Sequence, residues 1–148
     1  MIRFISQAVR SYRTTGAVAP SSRFLGRAMV KSMPMTKNQR ILEVGPGTGA
    51  VTKHILANLQ DGDSFHIVEL NTEFCLHLEQ HFLEPFRKSN SGFGIEVLLH
   101  NTSIEEASLE GKFDTIICGL PFNNFQIGLV QHLFDVMFGL LSSDGELV

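Results

Sequence analysis

A glycine-rich heptapeptide, residues 43–49, has the residue types and spacing of a ligand-binding turn. It reads Glu-Val-Gly-Pro-Gly-Thr-Gly, and its first two residues are the end of the short apolar run Ile41–Val44. Glycine allows a sharp backbone turn and lets a ligand lie against main-chain atoms without an intervening Cβ. Loops of this kind between a strand and a helix hold the pyrophosphate of bound dinucleotides. The pattern therefore predicts a nucleotide-type ligand.

Glu43 narrows the identity of that ligand. A carboxylate at the start of the loop suits a cationic amino group, directly or through water, and repels a pyrophosphate. S-adenosylmethionine (SAM) carries an amino acid, a sulfonium cation and an adenosine, but no phosphate. We therefore expect SAM rather than NAD as the cofactor. The predicted contacts in this loop are Glu43, Gly45, Pro46, Gly47, Thr48 and Gly49.

Glu69 is the second candidate cofactor ligand, together with the adjoining Leu70. It lies 20 residues after Gly49, at the end of the second apolar run. A carboxylate at this position accepts hydrogen bonds from ribose hydroxyls in nucleotide-binding folds. An acid favoured by a helix dipole is the alternative interpretation, and the spacing from the glycine loop favours the ribose role.

Two later loops complete the predicted site. Asn101 and Thr102 follow the third strand, where an amide or hydroxyl could contact the adenine edge, although both are also common turn residues. The octapeptide Cys-Gly-Leu-Pro-Phe-Asn-Asn-Phe, residues 118–125, follows the fourth strand. We assign Cys118 and Gly119 to the cofactor. The residues expected to frame the reacting group are Pro121, Phe122, Asn124 and Phe125.

The flanking segments predict the elements that position these loops. Short apolar runs alternate with longer stretches of helical periodicity, which predicts right-handed βαβ units and a mostly parallel sheet. The fold class is therefore α/β, Rossmann-like. The predicted strands are Ile41–Val44, Ser64–Leu70, Ile95–His100 and Thr115–Cys118. Three helices are predicted between and after them. The first follows the glycine loop and ends at Leu59, the second runs from Asn71 or Thr72 to about Phe82, and the third covers Phe125–Leu141.

A fifth strand is predicted from Glu146, after a turn at residues 143–145. It stops within an apolar run at Val148. We therefore expect a domain truncated after the start of strand five, with an unpaired sheet edge. A non-catalytic fragment of a SAM-binding fold is accordingly one functional hypothesis.

Charge is distributed unevenly along the chain. Eight of the twelve lysines and arginines, and none of the fifteen acids, lie in residues 1–42, which favours contact with an anionic surface, either lipid or nucleic acid. Residues 1–14 are predicted as a basic amphipathic helix that binds a membrane interface, and residues 15–148 as the SAM-binding domain. Packing of the helix on the domain and a transit peptide are alternatives.

Other features exclude several classes of protein. The two cysteines match no disulfide or metal spacing, and the six histidines show no metal-ligand pattern. No apolar run reaches the roughly 20 residues that span a bilayer. We therefore predict no metal and a cytoplasmic protein, peripheral to the inner membrane.

Together these motifs resemble class I SAM-dependent methyltransferases. Within that class, residues 16–29 resemble the entry segment of bacterial phospholipid N-methyltransferases, and Cys-Gly-Leu-Pro with Asn124-Phe125 is similar to the Ser-Gly-Leu-Pro…Asn-Phe loop of that family. The resemblance implies stepwise methylation of the phosphatidylethanolamine amine and an N-terminal membrane-binding helix. Ser21 and Ser22 are then expected to frame the amine, and Arg23 and Arg27 to face the lipid phosphate, because arginine binds phosphate in bidentate fashion.

The rRNA adenine dimethylases are the nearest alternative family. They share the glycine loop and have Asn-Leu-Pro-Tyr or Phe after strand four. Gly119 stands at the asparagine position of that pattern and has no side chain to hold an adenine amino group, whereas Phe122 could still stack on a flipped base. This chain also departs from the lipid family, with Cys118 for serine and Asn101-Thr102 for Gly-Asp. Methylation of a lipid amine is the preferred prediction and methylation of an rRNA adenine the alternative.

Overall fold

The computed structural model describes residues 38–148, and element labels below number the elements within that range. The strands are β1 (Arg40–Val44), β2 (Ser64–Val68), β3 (Glu96–His100), β4 (Phe113–Cys118) and β5 (Leu141–Leu147). The α-helices are α1 (Thr52–Asn58), α2 (Thr72–Leu78), α3 (Glu84–Ser89) and α4 (Ile127–Leu140). A π-helical segment, Glu79–Leu83, joins α2 to α3, and a 3₁₀ turn covers Phe122–Asn124.

The five strands form one parallel sheet in the order β3-β2-β1-β4-β5. At the carboxyl end of the central strand, Val44 pairs with Val68 of β2 on one side and Cys118 of β4 on the other. The chain turns from β1 towards β2 and later crosses to β4, so the crevice between the β1 and β4 ends is a topological switch point. Open α/β sheets bind their ligands at such points. The predicted Rossmann-like fold is confirmed.

The core forms two layers, one on each face of the sheet. Alternate residues of each strand point to opposite faces, so β1 contributes Ile41 to one layer and Leu42 to the other. The first layer includes Ile55 and Leu56 of α1, and the second includes Leu133 and Met137 of α4. Burial on both faces is expected of a parallel sheet, and the strand ends that carry the loops are packed between these two layers.

The predicted end of the second helix near Phe82 is wrong. The helical path continues through the π segment and α3 to Ser89. Pro85 lies in the first turn of α3, directly after the π segment, where the regular α-helical hydrogen bonding is already interrupted and a residue without an N–H is accommodated. The predicted cap is confirmed, since Asn71 Oδ1 accepts a hydrogen bond from the Phe74 N–H at 3.1 Å.

The predicted turn at residues 143–145 is also wrong. Strand β5 begins at Leu141, immediately after α4, and includes these residues. Its register with β4 shifts: Phe113 pairs with Leu141, whereas Thr115 pairs with Glu146. The turn-forming residues are therefore accommodated as a bulge within the strand, as extra residues in a ladder usually are.

Predictions for the N-terminal segment fall outside the described residues. They include the amphipathic helix of residues 1–14 and the candidate substrate residues Ser21, Ser22, Arg23 and Arg27. Within residues 38–148, no helix has the length and apolar character needed to cross a bilayer.

Candidate functional site

The glycine loop joins β1 to α1 with three glycines in left-handed backbone conformations. The φ angles of Gly45, Gly47 and Gly49 are 70°, 58° and 92°. A Cβ on Gly45 would lie 2.7 Å from Leu120 Cδ2, and one on Gly49 would lie 2.8 Å from Phe82 Cε2. A Cβ on Gly47 would meet no atom within 4 Å. A side chain at either outer glycine would have to displace Leu120 or Phe82, whereas the middle glycine leaves open space for a ligand.

Thr48 and Pro46 complete this loop. Thr48 is exposed and Pro46 half-buried, and the Pro46 carbonyl accepts the Gly49 N–H at 3.0 Å. This bond closes the turn, so the loop is held by its own backbone. Contact of Pro46 and Thr48 with the cofactor stays a prediction.

Glu43 is buried on β1, two residues before the first loop glycine. Its side chain is 2% exposed, and Thr52 Oγ1 of α1 donates a hydrogen bond to its Oε2 at 2.7 Å. Burial raises the pKa of Glu43 to about 8; the neighbouring Glu69 adds to the rise, and the Thr52 hydrogen bond opposes it. The carboxyl group is therefore mostly protonated at neutral pH in the protein alone.

Glu69 connects the end of β2 to the glycine loop. Its Oε2 accepts the Gly47 N–H at 3.1 Å, and its Oε1 accepts the Asn71 N–H at 2.8 Å. These two bonds orient the carboxylate at the edge of the sheet where the sequence predicts the ribose hydroxyls to bind. The structure thus brings Glu69 and the glycine loop together, as the sequence predicted.

Asn101 holds the β2 and β3 ends together. Its Nδ2 donates to the carbonyls of Glu69 and Leu70 at 3.1 and 3.2 Å, and its Oδ1 accepts the Thr72 hydroxyl at 3.1 Å. The amide is committed to these backbone and hydroxyl partners, so it positions the Glu69 segment. Thr102 beside it is half-buried.

The loop after β4 packs directly on the glycine loop. The Gly119 N–H donates to the Val44 carbonyl at 2.8 Å, and a Cβ on Gly119 would lie 2.7 Å from Gly45 O. Only glycine at position 119 allows the two loop backbones to come this close. At the neighbouring Cys118, burial raises the thiol pKa to about 11, so the thiol is neutral at physiological pH.

Aromatic packing holds the next segment of this loop. The Phe122 ring makes an edge contact with Phe125, with centroids 6.0 Å apart, and stacks on Phe134 of α4 at 5.1 Å. Pro121 is half-buried, and Asn124 is exposed. The rings therefore brace the loop against α4 and leave Asn123 and Asn124 as exposed polar residues.

Several residues that shape the site escaped the sequence analysis. Thr52 binds Glu43, and Leu78 and Phe82 form the wall against Gly49. Their spacing offers one signal: Leu78 and Phe82 are four residues apart on one helix face. Among residues 38–148, no group of three or more histidine, cysteine, aspartate or glutamate side chains could hold a metal ion.

The sheet order and the loops at its carboxyl edge match the class I SAM-dependent methyltransferase fold of solved structures. Among solved structures with this fold is mycolic acid cyclopropane synthase complexed with SAH and CTAB, with a TM-score of 0.65, 17% identity, and coverage of 84% of this chain and 40% of that one. Coclaurine N-methyltransferase, bound to N-methylheliamine and SAH, has a TM-score of 0.60 and 18% identity over 86% of this chain and 34% of its own.

Sequence relatives are also methyltransferases. Ornithine lipid N-methyltransferase of Singulisphaera acidiphila is 25% identical over 145 residues, covering 96% of this chain and 72% of that protein. Ribosomal RNA small subunit methyltransferase A of Blochmanniella pennsylvanica is 44% identical over 54 residues, 36% of this chain and 20% of that protein. No protein-family model matches the chain. The chain spans less than half the length of each of the two solved structures. Its sequence relatives and structural neighbours support its assignment as a SAM-dependent methyltransferase.

Proposed function

We propose that this chain transfers a methyl group from SAM to the primary amine of an amphipathic lipid, with phosphatidylethanolamine as the first candidate acceptor. The observation that carries the proposal is the extent of the match to a lipid N-methyltransferase. That alignment covers 96% of the chain, whereas the rRNA methyltransferase alignments cover 36% to 64%. Both an ornithine lipid and phosphatidylethanolamine can present a primary amine.

The cofactor, when bound, supplies an electrophilic methyl group on a sulfonium. The chain has to orient an unprotonated amine in line with that methyl and to exclude water around it. The loop of residues 121–125 suits the positioning task, because its 3₁₀ turn and the packing of Phe122 on Phe134 hold it in place. Asn124 is exposed on this turn and offers the amine a hydrogen-bond partner.

The basic N-terminal segment supports a lipid acceptor from sequence alone. Residues 1–14 have the amphipathic pattern of an interfacial helix, and Arg23 and Arg27 could bind a lipid phosphate while Ser21 and Ser22 border the amine. We propose on this basis that the protein works at the cytoplasmic surface of the inner membrane. Replacing Ile5 and Val9 by glutamate should abolish flotation with anionic vesicles, whereas alanine at Ser6 and Gln7 on the polar face should preserve it.

Methylation of an rRNA adenine is the second candidate, favoured by the higher local identity of 44% to an rRNA methyltransferase. Gly119 argues for the lipid. A side chain at this position would begin 2.7 Å from Gly45 O, so this backbone has no room for the asparagine of the dimethylase pattern. RNA binding would also fall steeply with salt, because it depends on phosphate contacts.

One assay compares the candidates. The protein is incubated with methyl-labelled SAM and, in parallel, with vesicles of phosphatidylethanolamine, ornithine lipid or phosphatidylcholine, and with 16S rRNA. We expect label in an amine-bearing lipid and none in phosphatidylcholine, whose quaternary amine has no lone pair. Label in RNA alone would refute the proposal. Saturable SAM binding with no transfer to any acceptor would identify a non-catalytic fragment and would refute it as well.

A further inference from the structure

We propose that the cationic amino-acid part of SAM displaces a proton from Glu43, so that cofactor binding is proton-linked. The inference rests on the SAM-binding part of the proposed function and is independent of the methyl acceptor. It concerns two buried carboxylates at the ends of the neighbouring strands β1 and β2, Glu43 and Glu69.

The two carboxylates differ in how the chain holds them. Glu43 is 2% exposed and Glu69 is 4% exposed. Glu69 accepts backbone N–H groups at both oxygens, an arrangement that suits an anion. Glu43 accepts only the Thr52 hydroxyl among the described residues. Two nearby buried carboxylates resist simultaneous ionisation, so the proton resides on Glu43.

Within the part of the chain that the structure describes, the elements around Glu43 offer it no cation. Its register partners in β2 and β4 are Ile67 and Ile117, which are apolar. Helix α1 contributes Thr52, and the titratable group that acts on Glu43 is Glu69, which raises its pKa. Among residues 38–148, no lysine, arginine or histidine forms an ion pair with Glu43.

A positively charged ligand group beside Glu43 would supply a countercharge that residues 38–148 do not provide. An opposite charge within about 4–6 Å favours the ionised carboxyl. The Glu43 O–H bond then breaks, the electron pair stays on the carboxylate, and the proton passes to the buffer. Cofactor affinity should consequently rise with pH below about 8, the pKa of Glu43 in the protein alone.

Calorimetry in buffers of different ionisation enthalpy measures this proton directly. At pH 6.5 the amino group of SAM stays protonated and does not contribute. We expect SAM binding to the wild type to release close to one proton, and binding to Glu43→Gln to release almost none. Affinity of the wild type should rise by up to tenfold per pH unit between pH 5.5 and 7, while that of Glu43→Gln stays flat.

Three controls separate this effect from general electrostatics. Asp135→Asn removes an exposed carboxylate on α4, and SAM binding to this variant should release as many protons as binding to the wild type. Adenosine lacks the amino-acid part and should bind without proton release. Thr52→Val removes the hydrogen bond that lowers the Glu43 pKa, so proton release should persist to higher pH in that variant.

Equal proton release by the wild type and Glu43→Gln, or equal release with adenosine and SAM, would overturn the inference. Failure of the two proposals can be told apart. Methylation of a lipid without proton release refutes the linkage alone. Proton-linked SAM binding without lipid methylation refutes only the proposed acceptor.

Discussion

Replacing Gly49 by alanine tests whether packing, in addition to backbone conformation, requires glycine at the end of the loop. The φ of 92° places an L-residue in left-handed space, at a cost of roughly 1–2 kcal/mol. The new Cβ would also lie 2.8 Å from Phe82 Cε2 and 2.9 Å from Leu78 Cδ2, and such overpacking typically adds about 1–3 kcal/mol. We therefore expect Gly49→Ala to lower the free energy of unfolding by about 2–5 kcal/mol.

Gly47→Ala is the matched control. Gly47 also has a positive φ, 58°, but its Cβ would contact nothing within 4 Å, so only the conformational cost of about 1–2 kcal/mol applies. Urea denaturation monitored by circular dichroism gives both values. Gly47→Ala should instead weaken SAM binding, because its methyl occupies the open space of the loop. Equal destabilisation by the two substitutions would refute the packing argument.

Three further substitutions test the site. The pKa of Glu43 is about 8 in the folded protein against an ordinary value of 4.5, so the wild type loses stability as the pH rises between these values. Glu43→Gln should therefore gain stability relative to the wild type between pH 5 and 8, by up to about 1.4 kcal/mol per pH unit. A difference in urea midpoint that does not change with pH would contradict this. Asn101→Ala should lower the free energy of unfolding by about 1–2 kcal/mol. It should also weaken SAM binding in calorimetry, because the Glu69 and Leu70 carbonyls lose their hydrogen bonds to the Asn101 amide. Unchanged affinity would show that these hydrogen bonds are not needed for binding. Gly119→Ala should lower stability by about 1–3 kcal/mol, since its Cβ would lie 2.7 Å from Gly45 O; a wild-type denaturation midpoint would rule out that close approach.

The sequence predicts the strands and loops of the candidate site well where local patterns determine structure. The apolar run before the glycine loop and the acid 20 residues after it identified β1, the loop and Glu69. The structure joins them through the Gly47 N–H and Glu69 Oε2. Parallel strands bring their carboxyl ends to one edge, so residues distant in sequence meet there by topology alone.

Other features depend on packing that no local pattern reports. The sequence could not show that the Asn101 amide binds the carbonyls of Glu69 and Leu70, since an exposed amide has many possible partners. The burial of Glu43 was equally hidden, because strand periodicity fixes the face of the sheet and not what covers it. The bulge in β5 depends on its register with β4, a non-local property.

SAM binding at the β1–β4 crevice is the central claim, and equilibrium dialysis with labelled SAM tests it most directly, using the wild type, Glu69→Ala and the surface control Asp135→Asn. We expect saturable binding of one SAM per chain to the wild type and the control. Loss of the Glu69 carboxylate should weaken binding roughly ten- to hundredfold, as hydrogen bonds to a charged group are worth about 1.5–3 kcal/mol. Wild-type affinity in Glu69→Ala would contradict the placement of the cofactor.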